Sequence, residues 1–221
     1  MGEVLLEGAK RPLPTPVRWL VGTDAFDLCS EGVARRLYQP LSTNIDKLGE
    51  ILSAPVETVV CDDGSSLVDW FDVFRVCQAR EVWDTHGDWV RESHPAFGPG
   101  VKDRFDMASK VTDADVAVMR RRRQLISTHL DELLDDSVLM IPTASDVAPV
   151  KGQLSADELQ QFRSNTLALT SIAGLGGLPQ VTIPVPAADD AQPPIGLSLV
   201  GPRGSDEALL ALASKISAAM T

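Results

Sequence analysis

Gly174-Leu175-Gly176-Gly177-Leu178-Pro179-Gln180-Val181-Thr182-Ile183-Pro184 is the stretch that decides how this chain folds. The residues before it, Leu167 to Ala173, are small and apolar and read as a helix. The glycines end that helix, because a left-handed C-cap suits glycine. Pro179 cannot continue a helix and Val181 to Ile183 is rich in β-branched residues, so a strand follows a tight turn. A turn from Asp189 to Pro194 leads into Pro194-Ile195-Gly196-Leu197-Ser198-Leu199-Val200-Gly201, a second strand, and Ser205-Asp206 opens a final helix. A phosphate-cradling glycine loop follows a strand and opens a helix. The glycines at 174, 176 and 177 stand in the reverse order, so a dinucleotide fold is excluded.

Working outward, Val138 to Ile141 reads as another strand, preceded by a helix from Asp113 to about Leu134. Thr112 is placed to cap that helix, with Asp115 completing a capping box, and Val116, Met119, Ile126, Leu130 and Leu133 face inward. A longer helix is expected from Leu67 to about Val90, with Trp70, Phe71, Phe74, Cys77 and Val82 on its apolar side. Ser93 to Gly100 must be a loop. Val56 to Cys61 reads as a strand turning at Asp62-Asp63-Gly64-Ser65. Val33, Leu37, Leu41, Leu48 and Leu52 form a helical stripe that Pro40 is expected to kink or split. Val17 to Val21 is a first strand, and residues 1–16 read as a proline-fixed arm or linker. Strands alternating with helices predict an α/β domain over residues 17–221, a mixed β-sheet with flanking helices.

Bulk properties narrow the functions. The 221 residues carry a net charge of −11, which disfavours nucleic acid and anionic membrane surfaces as partners. No apolar run approaches the roughly 20 residues that span a bilayer. The start, Met1 to Leu6, is too short and acidic to read as a signal peptide. Cys29, Cys61 and Cys77 are odd in number and widely spaced, so they read as free buried thiols of a reducing, cytoplasmic setting.

Residue chemistry offers few reaction centres. Gly64-Ser65-Ser66 reads as a turn and helix N-cap, without the second glycine run that an oxyanion-binding loop needs. Lys10, Lys47, Lys102, Lys110, Lys151 and Lys215 all lie in polar surroundings, where nothing lowers the pKa of a lysine enough to make it a base. His86, His94 and His129 lack the spacing of a zinc site and read as surface histidines. Arg120 to Arg123 point in four directions on a helix and read as a solvated face neutralised by Asp113, Asp115, Asp131 and Glu132. No metal and no cofactor is expected.

The order of these motifs resembles the C-terminal half of the amidase signature enzymes. The likeness rests on Phe162-Arg163-Ser164-Asn165-Thr166, the Gly177-Leu178-Pro179 turn into a strand ending at Pro184, Pro194-x-Gly196 with its strand, and Ile141-Pro142-Thr143. Val17 to Asp24 is similar to the strand that follows the signature region. Phe97 to Gly100 and Phe162 to Ser164 look most like plant-type indoleacetamide amidases, and also like the amidase-like domain of a chloroplast import receptor that lacks catalysis.

The resemblance implies amide hydrolysis by a Ser–cis-Ser–Lys triad, whose motifs are absent from this chain. It implies that Pro142, Thr143, Ile172, Gly176 and Gly177 are the positions nearest a substrate channel. Gln180 stands where alanine is common and Ser198 where glutamine is common. Two roles are therefore expected: a fragment or subunit that acts on a small amide once an N-terminal half supplies the triad, or a non-catalytic binding module. Self-association is the other expected partnership, through an open sheet edge and an uncovered apolar face.

Overall fold

Val138 and Met140 point to one side of their strand and Leu139 and Ile141 to the other, and all four are buried. Only a sheet covered on both faces allows this. The computed structural model, which describes residues 11–98, 100–185 and 192–220, builds that sheet. In chain order the elements are β1 (Arg18–Gly22), α1 (Thr23–Phe26), α2 (Glu31–Thr43), α3 (Ile45–Gly49), β2 (Val56–Thr58), α4 (Leu67–Ser93) and α5 (Val101–Ala108). They continue with α6 (Asp113–Leu133), β3 (Ser137–Pro142), α7 (Ala156–Gly176), β4 (Gln180–Val185), β5 (Ile195–Val200) and α8 (Asp206–Met220).

The strand order is β2-β1-β3-β5-β4. β2, β1 and β3 run parallel, while β5 is antiparallel to both its neighbours, so the expected mixed sheet is what forms. Trp19, Val21, Val138, Met140, Leu197 and Leu199 face one layer, packed by Val33, Leu37 and Leu41 of α2, Leu48 of α3, and Leu209, Leu212 and Ile216 of α8. Leu20, Leu139, Ile141 and Val200 face the other, packed by Trp70 and Val73 of α4, Ile126 and Leu130 of α6, and Leu169 and Ile172 of α7. The expectation of an uncovered apolar face is thereby corrected: helices cover the apolar parts of both faces, and what stays open beside β4 is polar.

Capping chemistry places the long helices. Ser66, Thr112 and Ser155 each accept from the backbone three residues on, at Asp69, Asp115 and Glu158, whose carboxylates reach back to the cap amide. At its other end α7 stops at Gly177, whose φ of 61° is the left-handed cap read from the sequence.

Several local expectations change. Pro40 neither ends nor splits α2, because Val33, Leu37 and Leu41 anchor the helix on both sides of the one missing amide. The break comes at Asn44, whose amide and side chain both donate to the Pro40 carbonyl. The strand expected to reach Cys61 stops at Thr58, since the Val60 and Cys61 amides turn to Asp24 instead of a neighbouring strand. α5 was not expected from its polar sequence. It is held where Phe105 stacks on Phe97 at 4.7 Å, and Trp89 of α4 meets that Phe97 edge-on. Arg11 donates to Gly204 and pairs with Asp135, and Leu13 packs on the core. The rest of the N-terminal arm, residues 1–10, lies outside the described residues, as does the first half of the Asp189–Pro194 turn, residues 189–191.

Candidate substrate cleft

β1 and β3 are parallel, so their carboxyl ends open on the same side, and the chain leaves them in different directions. Open α/β sheets place ligands in such a crevice, especially where strand order changes sense, as it does at β3. A cleft of about 550 Å³ lies there, with Leu28, Cys29, Ser145, Pro149, Phe162 and Asn165 among its walls.

The walls are tied together by polar bonds. Asn165 Nδ2 donates to the Leu28 carbonyl at 3.1 Å and its Oδ1 accepts from Gln161 at 2.6 Å. Ser145 Oγ donates to the Phe162 carbonyl at 3.2 Å, and the Ser145 carbonyl accepts the Ser30 amide at 2.9 Å. α7 is thus fastened to both strand exits. The Cys29 thiol donates to the Ala144 carbonyl at 3.4 Å. Burial, aided by Asp146, pushes that thiol up to about 12, so it is no thiolate nucleophile at neutral pH. Ser30 caps α2 and Ser145 is bonded to backbone, and among the described residues no lysine lines the cleft. The arrangement can recognise an amide through hydrogen bonds, but none of these groups is activated to attack one.

The five residues implied by resemblance fall in three places. Pro142 is buried opposite Leu197, beyond the last partner of β1. Thr143 follows it, its amide donating to the Gly196 carbonyl at 3.0 Å. Its hydroxyl lies 2.8 Å from the fully buried Ser198 Oγ, which also accepts from Gln180 at 3.0 Å and lies 3.2 Å from Thr182 Oγ1. Ile172 is fully buried in the core between sheet and helices. Gly176 and Gly177 sit past the other end of β5, their carbonyls held by Arg203 at 2.6 and 3.1 Å. With six residues in β5, Thr143 and Gly177 are separated by on the order of 15 Å. The structure therefore brings Pro142 and Thr143 together and leaves the other three apart from them. The cleft residues Asn165 and Phe162 enter the sequence reading only through the family resemblance, because Asn165 is one of several polar residues in the first half of α7.

A second polar cluster lies at the exit of β2. Asp63 accepts from the Ser65 amide at 2.9 Å and from its hydroxyl, which above all holds its carboxyl down at about 2. Burial pushes the neighbouring Cys61 thiol up to about 11, against the opposing hydrogen bond from Ser65. His129 is corrected from a surface histidine to a half-buried one. Its Nε2 meets the Val60 carbonyl at 2.9 Å, its Nδ1 is 3.4 Å from Asp62, and its ring lies edge-on to Trp70.

The arginine run is corrected as well. Asp113 pairs with Arg80, Asp131 with Arg203, and Asp115 serves its capping box, because each lies nearer those partners than the run. Arg123 turns to the Gly174 and Leu175 carbonyls. Among the described residues no group of three or more His, Cys, Asp or Glu side chains is placed to hold a metal ion.

A model of the Amidase family matches residues 25–210. The chain belongs to the amidase family. Amidase 1 of Arabidopsis thaliana is 30% identical over 99% of this chain and 56% of its own length. Outer envelope protein 64, chloroplastic, of the same plant is 29% identical over 63% of this chain and 23% of its own length. The Kluyveromyces lactis allophanate hydrolase structure superposes with a TM-score of 0.74 at 21% identity, over 97% of this chain and 34% of that one. The chain spans from about a quarter to just over half the length of the curated relatives it matches, and the structural relatives include family members in larger chains or complexes. Among the described residues no helix is long and apolar enough to cross a membrane.

Proposed function

We propose that this chain is the C-terminal portion of an amidase signature hydrolase. It contributes the substrate wall for cleavage of a C–N amide bond whose Ser–cis-Ser–Lys triad is held outside the chain. The observation that carries this reading is the pairing of a family match over residues 25–210 with the exposure of every lysine among the described residues. Lys47, Lys102, Lys110, Lys151 and Lys215 are all exposed, and a lysine needs desolvation or a cationic neighbour to lose its proton near neutral pH. Cys29, Asn165 and Ser145 then shape one side of the amide site. Of the residues implied by resemblance, Thr143 is the one best placed to face a channel, being half-buried at a strand exit. Three free thiols fit a reducing, cytoplasmic setting for this role.

A non-catalytic binding module is the second reading, and the likeness to Outer envelope protein 64 favours it. One experiment separates the two. The folded chain is exposed to a fluorophosphonate and weighed intact, alone and after mixing with the part of Arabidopsis Amidase 1 outside the matched stretch. The hydrolase reading expects no adduct on this chain and amide turnover only in the mixture. Turnover absent from a mixture of folded partners favours the module, and a stoichiometric adduct on this chain alone overturns both.

A further inference from the structure

The two edges of the sheet are built differently. β2 has three residues, carries Glu57, and ends where Val60 and Cys61 are drawn to Asp24. Short, charged edges resist pairing. β4 has six residues, Gln180–Val185, and no charged side chain.

Register fixes which backbone groups of β4 are open. The Thr143 amide donates to the Gly196 carbonyl, so the even-numbered residues of β5 serve β3. The odd-numbered ones serve β4, as the 3.0 Å bond from the Gly201 amide to the Pro179 carbonyl also requires. Val181, Ile183 and Val185 stand opposite them and are spent on β5. Gln180, Thr182 and Pro184 therefore turn their backbone groups away from the sheet. Proline has no N–H to give, and an outward position on an edge is where it fits.

The two faces differ at the same strand. On the α8 side β4 is finished, with Ile183 and Val185 buried. On the other side α4, α6 and α7 cover β1, β3 and the Val200 end of β5. Thr182 and Pro184 stay exposed there, and Thr143 and Gly196 half-buried. The Ser198 hydroxyl, linked to Thr143, Thr182 and Gln180, orders this polar face from beneath.

We infer that a companion chain carrying the rest of the amidase fold adds a strand to β4, pairing with the backbone of Gln180 and Thr182 and the Pro184 carbonyl. This rests on the hydrolase reading, in which such a companion exists. The matched relative supplies the length for it, since 44% of Amidase 1 (100 − 56) lies outside the stretch this chain matches. Main-chain pairing at an open edge supplies affinity without a large apolar patch.

The test mixes the full chain with that remaining part of Arabidopsis Amidase 1 and follows amide exchange by residue. In the free chain Val181, Ile183 and Val185 exchange slowly and Gln180 and Thr182 fast. In the complex Gln180 and Thr182 slow by at least 100-fold. Thr182→Pro weakens the Kd at least tenfold relative to Thr182→Ala, because both lose the hydroxyl that meets Ser198 and only the proline also removes the outward amide donor. Should that variant misfold, the exchange map of the unaltered chain decides alone. A complex that protects other segments and leaves Gln180 and Thr182 fast overturns the edge assignment but not the companion. Protection of the same amides in the chain alone, rising with its concentration, makes a second copy the occupant and overturns the inference. No complex at all overturns it together with the hydrolase reading beneath it.

Discussion

Asp24→Ala removes the clamp that ends β2. Asp24 Oδ1 accepts from the amides of Ala25 at 3.1 Å and Val60 at 2.9 Å, and Oδ2 accepts from Cys61 at 3.0 Å. Val60 is fully buried and Cys61 6% exposed, so their amides have little access to bulk water once the carboxylate is gone. Each orphaned donor costs about 1–3 kcal/mol, which puts two at about 2–6 kcal/mol. Asp24 itself is only half-buried, and water entering the space it vacates brings the expected loss to about 2–4 kcal/mol. For a chain of this size that lowers the Tm by about 4–16 °C. Asp24→Asn keeps one acceptor oxygen and costs about half as much. The assay is urea unfolding with the m-value held common, alongside amide exchange at Val60 and Cys61. If Asp24→Ala unfolds within about 0.5 kcal/mol of the parent, exposed-surface behaviour, the carboxylate does not hold this joint.

The thiols make stability fall in alkali. Cys29 and Cys61 have folded values near 12 and 11 against an ordinary 9, so above about pH 9 the unfolded chain sheds protons first and the folded state loses ground until about pH 12. Cys29→Ala flattens that decline, which a pH series of urea midpoints reads directly. Arg203→Met frees the Gly176 and Gly177 carbonyls and Asp131, and costs about 1–2 kcal/mol. Adding 0.5 M salt to the parent reproduces little of that loss, because three of the four partners, Gly176, Gly177 and Ser127, are neutral and only Asp131 is charged. Gln180→Ala and Ser198→Gln each destabilise, the first by stripping a bond from the buried Ser198 hydroxyl and the second by overpacking. The double variant recovers about 1 kcal/mol or more in a double-mutant cycle, and strict additivity refutes the coupling.

The long elements were legible because several signals agreed in each. α6 carries a capping box and an apolar stripe, α7 ends at a glycine stop although it begins at Ala156, well before the Leu167 read from the sequence, and strands β3 to β5 are short apolar runs between turn residues. Where the reading failed, a distant residue had intervened. β2 is shortened by Asp24, more than thirty positions away in sequence. His129 is drawn inward by Val60 and Trp70, and α5 is held by ring stacking rather than by its own pattern. The cleft was half legible for the same reason. Asn165 lay within the run that carries the family resemblance, but its partner is the Leu28 carbonyl, which no local pattern announces. The channel positions were carried by resemblance, and the polar contacts of Thr143 and Ser198 appear only when β3, β4 and β5 are laid side by side.

Gln180 and Ser198 stand on adjacent strands, with Ser198 directly opposite Thr182, and the glutamine amide donates to the serine hydroxyl at 3.0 Å. Stripping that partner from a hydroxyl as buried as that of Ser198 is costly. The pair orders a polar surface beside the open edge of β4. Over β1, β3 and the Val200 end of β5 both sheet faces are packed with apolar side chains, so that part of the core is complete without a companion. What a companion finds is a strand edge and a hydroxyl-lined face, so the association is expected to be specific in register and modest in apolar area.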